Sequence, residues 1–161
     1  MLDLLDNREK KMLREDLQNA LKEAMKAKDM ETVGAVRLII AGQKEKDVVA
    51  RGSGKECASD QELLAMMQTM VKQRTESAKI YREGGREEIA VKEEKEIKVI
   101  ERFLPKQLGE DETKEIIKNI MAEIGASSIK DMGKVMAELK AKYAGQVDMG
   151  KASSLIKTLL G

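Results

Sequence analysis

Phe103-Leu104-Pro105-Lys106-Gln107-Leu108-Gly109 is the stretch that organises this chain, because it contains the only proline. A helix normally ends before a proline, whose ring disfavours helical geometry in the residue that precedes it. One apolar pattern of helical spacing ends at Leu104, and another begins after Gly109. We therefore predict an N-terminal domain over residues 1–105 and a C-terminal domain over residues 106–161.

The residues on both sides of this stretch predict helices throughout. Apolar side chains recur every three or four positions, and no segment shows the strict alternation of a strand. The Gly84-Gly85 pair interrupts the longest helical pattern and predicts a tight turn. We expect an all-α protein of seven helices, with a long antiparallel helical hairpin in the N-terminal domain and a small C-terminal three-helix domain.

The composition excludes several kinds of catalytic site. The chain has no His and one Cys, so it lacks Ser-His-Asp and Cys-His chemistry and the usual zinc ligands. We therefore assign no catalytic residue, no metal ligand and no cofactor. The unpaired Cys57, together with the absence of a long apolar run, favours a cytoplasmic protein that does not enter a membrane.

The tetrapeptide Asp-Met-Gly-Lys occurs twice, at residues 131–134 and 148–151. In each copy the Asp is suited to capping a helix, and the Gly leaves room for a neighbouring helix or a phosphate. The segment 126–161 has six Lys against three acids, a net charge of +3. The candidate RNA-binding residues are the glycines of the two copies and four of the six lysines: Gly133, Gly150, Lys134, Lys140, Lys151 and Lys157.

Two charged residues interrupt the apolar stripes of the predicted hairpin. Arg74 lies between Val71 and Ala78, and Glu93 lies between Ala90 and Ile97. A turn at Gly84-Gly85 would place Arg74 opposite Glu93 or its neighbour. We predict a structural ion pair between Arg74 and Glu93, which would fix the register of the two helices rather than perform catalysis.

Several motifs, taken together, resemble YqeY-like proteins. They are the segments 70–74 (Met-Val-Lys-Gln-Arg), 84–86 (Gly-Gly-Arg), 103–108 (Phe-Leu-Pro-Lys-Gln-Leu) and 131–136 (Asp-Met-Gly-Lys-Val-Met). The resemblance covers residues 16 to 160. It implies kinship with the tail of the B subunit of the glutamine-dependent aspartyl/glutamyl-tRNA amidotransferase, a carbon-nitrogen ligase. In that enzyme the tail helps to hold tRNA, while the catalytic sites lie elsewhere.

Two functions follow from these observations. The first is a non-catalytic module that binds tRNA, or that associates with a tRNA-dependent amidotransferase or an aminoacyl-tRNA enzyme. Its lysines would contact phosphates, because three aromatic residues are too few for base stacking. The alternative is a protein-interaction module without RNA contact, in which Gly133 and Gly150 only allow the last two helices to pack closely. An independent ligase activity is the weakest hypothesis, because no nucleophile is recognisable.

Overall fold

The computed structural model describes the backbone of residues 2–161 and the side chains of residues 12–161. Over this range the chain is helical and contains no strand, which confirms the all-α prediction. A single 3-10 turn, Ile129–Asp131, immediately precedes the sixth helix. The seven α-helices are α1 Leu2–Lys26, α2 Met30–Gly52, α3 Asp60–Glu83, α4 Glu87–Glu101, α5 Glu110–Ile124, α6 Met132–Lys142 and α7 Met149–Leu160.

The chain divides into two compact units. The N-terminal unit is Met1–Leu104, with helices α1 to α4, and the C-terminal unit is Pro105–Gly161, with helices α5 to α7. Pro105 begins the second unit and lies in the non-helical segment between α4 and α5. That these units are separate domains, with the bounds 1–105 and 106–161, stays a prediction.

The core of the N-terminal unit is aliphatic. Leu17 of α1, Ile39 of α2, Met67 of α3 and Ile100 of α4 are each at most 1% exposed and belong to one buried cluster. Each of these residues lies on the apolar stripe of its helix, so packing the four stripes together removes them from water. Met67 of α3 is therefore part of the core, and Met66 and Met70 of the same helix pack against it.

The ends of α3 follow from local sequence. The Ser59 hydroxyl accepts from the backbone N–H of Glu62 at 3.1 Å, and the Glu62 carboxylate accepts from the N–H of Ser59 at 3.0 Å. This capping box satisfies two N–H groups that the first helical turn leaves free. At the other end Gly85 has a φ of 77°, a left-handed conformation that glycine adopts without steric cost. The segment Gly84–Arg86 thus turns the chain from α3 into α4.

Arg74 contacts a carboxylate of α4, but not the predicted one. Its Nε donates to Oε2 of Glu96 at 2.9 Å, and its NH1 donates to the backbone oxygen of Met70 at 3.3 Å. The prediction of Glu93 as the partner is wrong. The non-helical segment between α3 and α4 is 84–86 and is centred on Gly85, so Arg74 faces a position farther along α4 than Glu93. Glu93 and Glu96 are three positions apart, which places them one turn from each other.

A second ion pair joins α1 to α2 and was not predicted. Arg14 donates to both carboxylate oxygens of Asp47, at 2.7 and 2.8 Å. The backbone of Ala58 completes the arrangement, since its N–H donates to Asp47 at 2.9 Å and its oxygen accepts from Arg14 at 2.9 Å. The Arg14 hydrogen bond and the Ala58 N–H lower the pKa of Asp47 to about 2, against the cost of burying its charge. This cluster, the Arg14–Asp47–Ala58 clasp, ties the loop before α3 to the first two helices.

Candidate nucleic-acid interface

The C-terminal unit presents its candidate residues on a small three-helix core. Ile117 of α5, Val135 and Leu139 of α6, Val147 before α7 and Ile156 of α7 are at most 2% exposed and form one cluster. Acids and lysines are concentrated on different helices of this unit: α5 carries most of the acids, and α6 and α7 carry most of the lysines. The lysines of interest therefore project from helices whose opposite sides are held in the core.

The first Asp-Met-Gly-Lys copy does not begin its helix as predicted. Asp131 makes no side-chain cap on α6. Its Oδ2 instead accepts from the backbone N–H groups of Ser127 and Ser128, at 3.0 and 3.2 Å, and these bonds lower the pKa of its carboxyl. The 3-10 turn runs directly into α6, with the N–H of Met132 donating to the oxygen of Ile129. The first backbone N–H of α6 is therefore already used, and the start of this helix does not offer a set of unpaired N–H groups to a phosphate.

The second copy begins its helix as predicted. The Asp148 Oδ1 accepts from the backbone N–H groups of Gly150 and Lys151, at 2.9 and 3.2 Å. This arrangement is an N-cap of α7. Since the carboxylate already occupies these N–H groups, and carries a negative charge, the backbone at this end does not attract an anion. The same four residues thus have different local roles in the two copies.

The two glycines do not serve close helix packing. A Cβ placed on Gly133 would have no atom within 4 Å, and one placed on Gly150 would meet only the Asp148 Oδ1, at 3.3 Å. Both glycines are exposed. The expectation that they allow α6 and α7 to approach each other is therefore wrong. The surface above Gly133 is open, and nothing within the C-terminal unit requires a glycine there.

The four candidate lysines are exposed and make no ion pair within the described part of the chain. Other lysines of the same unit differ: Lys114 lies 3.6 Å from Glu110, and Lys118 lies 3.9 Å from Glu115. Lys142 lies 3.3 Å from Glu123, and this hydrogen bond raises the pKa of its ammonium group. The candidates Lys134, Lys140, Lys151 and Lys157 are therefore unpaired among the described residues, as are Lys106 and Lys130 of the same unit.

These unpaired lysines do not form a single stripe. Lys134 and Lys140 are six positions apart in α6, which rotates one from the other by about 120° around the helix axis. Lys151 and Lys157 have the same spacing in α7, and flank the buried Ala152 and Ile156 on different sides. The structure thus distributes the positive charges around the outer surfaces of two helices rather than bringing them together.

One of these lysines borders an open groove of about 530 Å³ within the C-terminal unit. Lys151 lines it together with Ser154 and Thr158 of α7 and Thr113 of α5. The Ser154 and Thr158 hydroxyls donate to backbone oxygens of α7, and the Thr113 hydroxyl donates to the backbone oxygen of the residue before α5, at 2.7 to 3.3 Å. They are therefore already engaged, and Lys151 is the strongest free donor at this groove. Glu110 also lines it and makes the groove poorly suited to a small anion.

Among residues 12–161, no three acidic or cysteine side chains come together in a way that could hold a metal ion. Of the helices in that range, none combines the length and the apolar character needed to cross a bilayer.

Comparisons with known proteins agree with the motifs in the sequence. A family model described as Yqey-like protein matches residues 14–160. A curated relative, altered inheritance of mitochondria protein 41, mitochondrial, from Pyrenophora tritici-repentis (strain Pt-1C-BFP), is 28% identical over 151 residues. The alignment covers 90% of this chain and 79% of the relative, whose name places it in mitochondria; the expected cytoplasmic location is thus not confirmed. Because the family model matches nearly the whole described chain, this protein belongs to the YqeY-like family.

Proposed function

We propose that the C-terminal unit binds the phosphate backbone of a folded RNA through Lys134, Lys140, Lys151 and Lys157. The RNA that we propose is tRNA. The observation that carries the proposal is the contrast between these four unpaired, exposed lysines and the paired lysines of the same unit. A surface lysine without a carboxylate partner keeps its charge available for a phosphate.

The chemistry of the unit favours phosphate contacts over base recognition. Tyr143 is its only aromatic residue, and it packs half-buried against the core. Base stacking on aromatic rings therefore contributes little. Backbone N–H groups also contribute little, because Asp148 occupies those of α7 and the 3-10 turn precedes α6. Lysine side chains remain, and lysines distributed around the outer surfaces of two helices suit the extended phosphate backbone of a folded RNA better than a single bound anion.

The choice of tRNA rests on the resemblance to the tail of the B subunit of aspartyl/glutamyl-tRNA amidotransferase. In this proposal the protein is not itself a ligase: it holds tRNA, or it associates with an amidotransferase or an aminoacyl-tRNA enzyme that acts on tRNA. It would work in a compartment that contains tRNA, and the lone Cys57 suits reducing conditions such as those of the cytoplasm.

The proposal is tested by measuring tRNA binding by fluorescence anisotropy over a series of salt concentrations. We expect the affinity of the full chain to fall steeply with salt. Replacing two lysines, Lys134→Gln with Lys151→Gln, should lower affinity at every salt concentration and reduce the logarithmic salt slope by about 2, or about 1 for each lost phosphate contact.

The chain offers a matched control in the same unit. Lys114→Gln with Lys118→Gln removes the same formal charge, but from lysines that lie beside Glu110 and Glu115. This control should keep the wild-type salt slope. The proposal fails if wild-type protein does not bind tRNA at low salt, or if the two double variants lose the same affinity. If the protein binds no RNA but still captures an enzyme that acts on tRNA, the protein-interaction alternative is favoured.

A further inference from the structure

A separate groove in the N-terminal unit combines exposed apolar residues with a row of positive charges. It lies between the first half of α2 and the length of α4, and its volume is about 720 Å³. Met30 and Leu38 of α2 line it and are 67% and 47% exposed, respectively. Gly34, which also lines it, leaves the surface between them open, since a Cβ there would have no atom within 4 Å.

The α4 side of the groove is basic. Successive positive residues there are three or four positions apart, so they lie along one side of the helix. They are Lys92, Lys95, Lys98 and Arg102.

The acids that line the same groove are already engaged. Glu96 accepts from Arg74 at 2.9 Å, and Glu31 lies 3.4 Å from Lys95. Asp29 accepts from the Thr32 hydroxyl at 2.6 Å, and this bond lowers its pKa. Within the described residues, Lys92 and Lys98 have no such acidic partner and are exposed. Two positive charges of the groove are therefore left for a negatively charged occupant.

We propose that this groove docks a partner protein through a segment that carries acidic and apolar side chains, such as an acidic amphipathic helix. Apolar side chains of the segment would cover Met30 and Leu38, and its carboxylates would meet Lys92 and Lys98. A helix laid into a groove makes this combination of contacts from a single face. The occupant is peptide rather than RNA, because a nucleic-acid backbone has no apolar side chain for the floor and the groove has no aromatic residue for a base. This inference does not depend on the proposed RNA binding of the C-terminal unit.

The open floor at Gly34 provides a variant that blocks the groove without harming the fold. Gly34→Gln adds a side chain above α2 and replaces glycine with a better helix former, so the protein should be at least as stable. Lys92→Glu with Lys98→Glu reverses the free charges. Lys44→Glu with Lys46→Glu makes the same charge change on exposed residues of α2 that do not line the groove.

The experiment is a selection of random displayed peptides on the full-length chain, followed by affinity measurement of the selected peptides by fluorescence anisotropy. We expect selected peptides to be enriched in Asp or Glu together with Leu, Ile or Met. Their Kd should rise about tenfold or more in Gly34→Gln and in the Lys92/Lys98 variant, equivalent to 1.4 kcal/mol, and stay unchanged in the Lys44/Lys46 control. Circular dichroism checks that each variant is folded.

Three outcomes would overturn the inference. The first is a selection that yields no peptide, or peptides without acidic and apolar residues. The second is equal binding to wild type and to the Gly34→Gln variant. The third is displacement of the selected peptide by oligouridylate in wild type and in the Lys134/Lys151 variant alike, which would identify the groove as an RNA site.

Discussion

The Arg14–Asp47–Ala58 clasp leads to a quantitative prediction for the substitution Asp47→Ala. The carboxylate accepts three hydrogen bonds, two from Arg14 and one from the Ala58 N–H, at 2.7 to 2.9 Å. Removing one partner of a buried ion pair costs about 3–5 kcal/mol, because the remaining charge stays buried without compensation. The Arg14 side chain is 22% exposed and can recover some water contact. We therefore expect a loss near the lower limit, about 3 kcal/mol in the free energy of unfolding.

Urea unfolding followed by circular dichroism at pH 7 measures this loss as a lower midpoint at an unchanged slope. Glu45→Ala is the matched control, since it removes an exposed acid from the same helix, and it should change stability by less than about 0.5 kcal/mol. A double-mutant cycle with Arg14→Ala should give a coupling energy of about 2 kcal/mol. The reasoning is refuted if Asp47→Ala costs no more than Glu45→Ala, or if the cycle shows no coupling.

Three further predictions follow from the same contacts and conformations. Folding lowers the pKa of Asp47 from 3.8 to about 2, so the stabilisation that its carboxylate provides is full above pH 4 and is lost as the pH falls through 2. In acid-unfolding curves, the stability difference between wild type and Asp47→Asn should therefore shrink over that range. A difference that stays constant would contradict the assignment. Gly133→Ala and Gly34→Ala should each raise the free energy of unfolding by about 0.5–1 kcal/mol, since both glycines are helical and have open space around them. The tRNA affinity should stay unchanged in both variants. A loss of tRNA affinity confined to Gly133→Ala would show that the RNA backbone approaches α6 itself. Residues 105–161 expressed alone should give a helical circular dichroism spectrum and a cooperative thermal transition, whereas a disordered product would show that the C-terminal unit depends on the rest of the chain.

The helices were predictable because their signals are local. The capping box at Ser59 and Glu62, the turn at Gly84-Gly85 and the stop at Gly125 each act within four or five residues. Gly125, for example, ends α5 with a φ of 69°, a conformation that favours glycine over any side chain. Apolar spacing then identifies which face of each helix is buried, so the all-α class follows from sequence without knowledge of any long-range contact.

The ion pairs were less predictable because they depend on register and on distant segments. Arg74 was recognised as a charged residue in an apolar stripe, but its partner depends on where the turn after α3 is centred, and the carboxylate that it meets is Glu96, three positions beyond Glu93. The Arg14–Asp47 pair joins residues 33 positions apart. Asp47 occupies a buried position of α2, yet a chain with 29 acids offers no sequence signal that marks this one as the partner of an arginine.

The repeated Asp-Met-Gly-Lys shows why identical sequence does not give an identical site. In the second copy Asp148 itself has an extended backbone, with φ −71° and ψ 109°, so its side chain can turn back over the first N–H groups of α7. In the first copy the preceding residues form a 3-10 turn, Asp131 already has a near-helical backbone, and its carboxylate reaches the N–H groups of Ser127 and Ser128 instead. What the copies share is an exposed lysine that makes no ion pair within the described residues. A function common to both copies therefore has to act through the lysine side chains, and a long, flexible ammonium on each helix is the kind of group that follows the phosphates of a folded RNA.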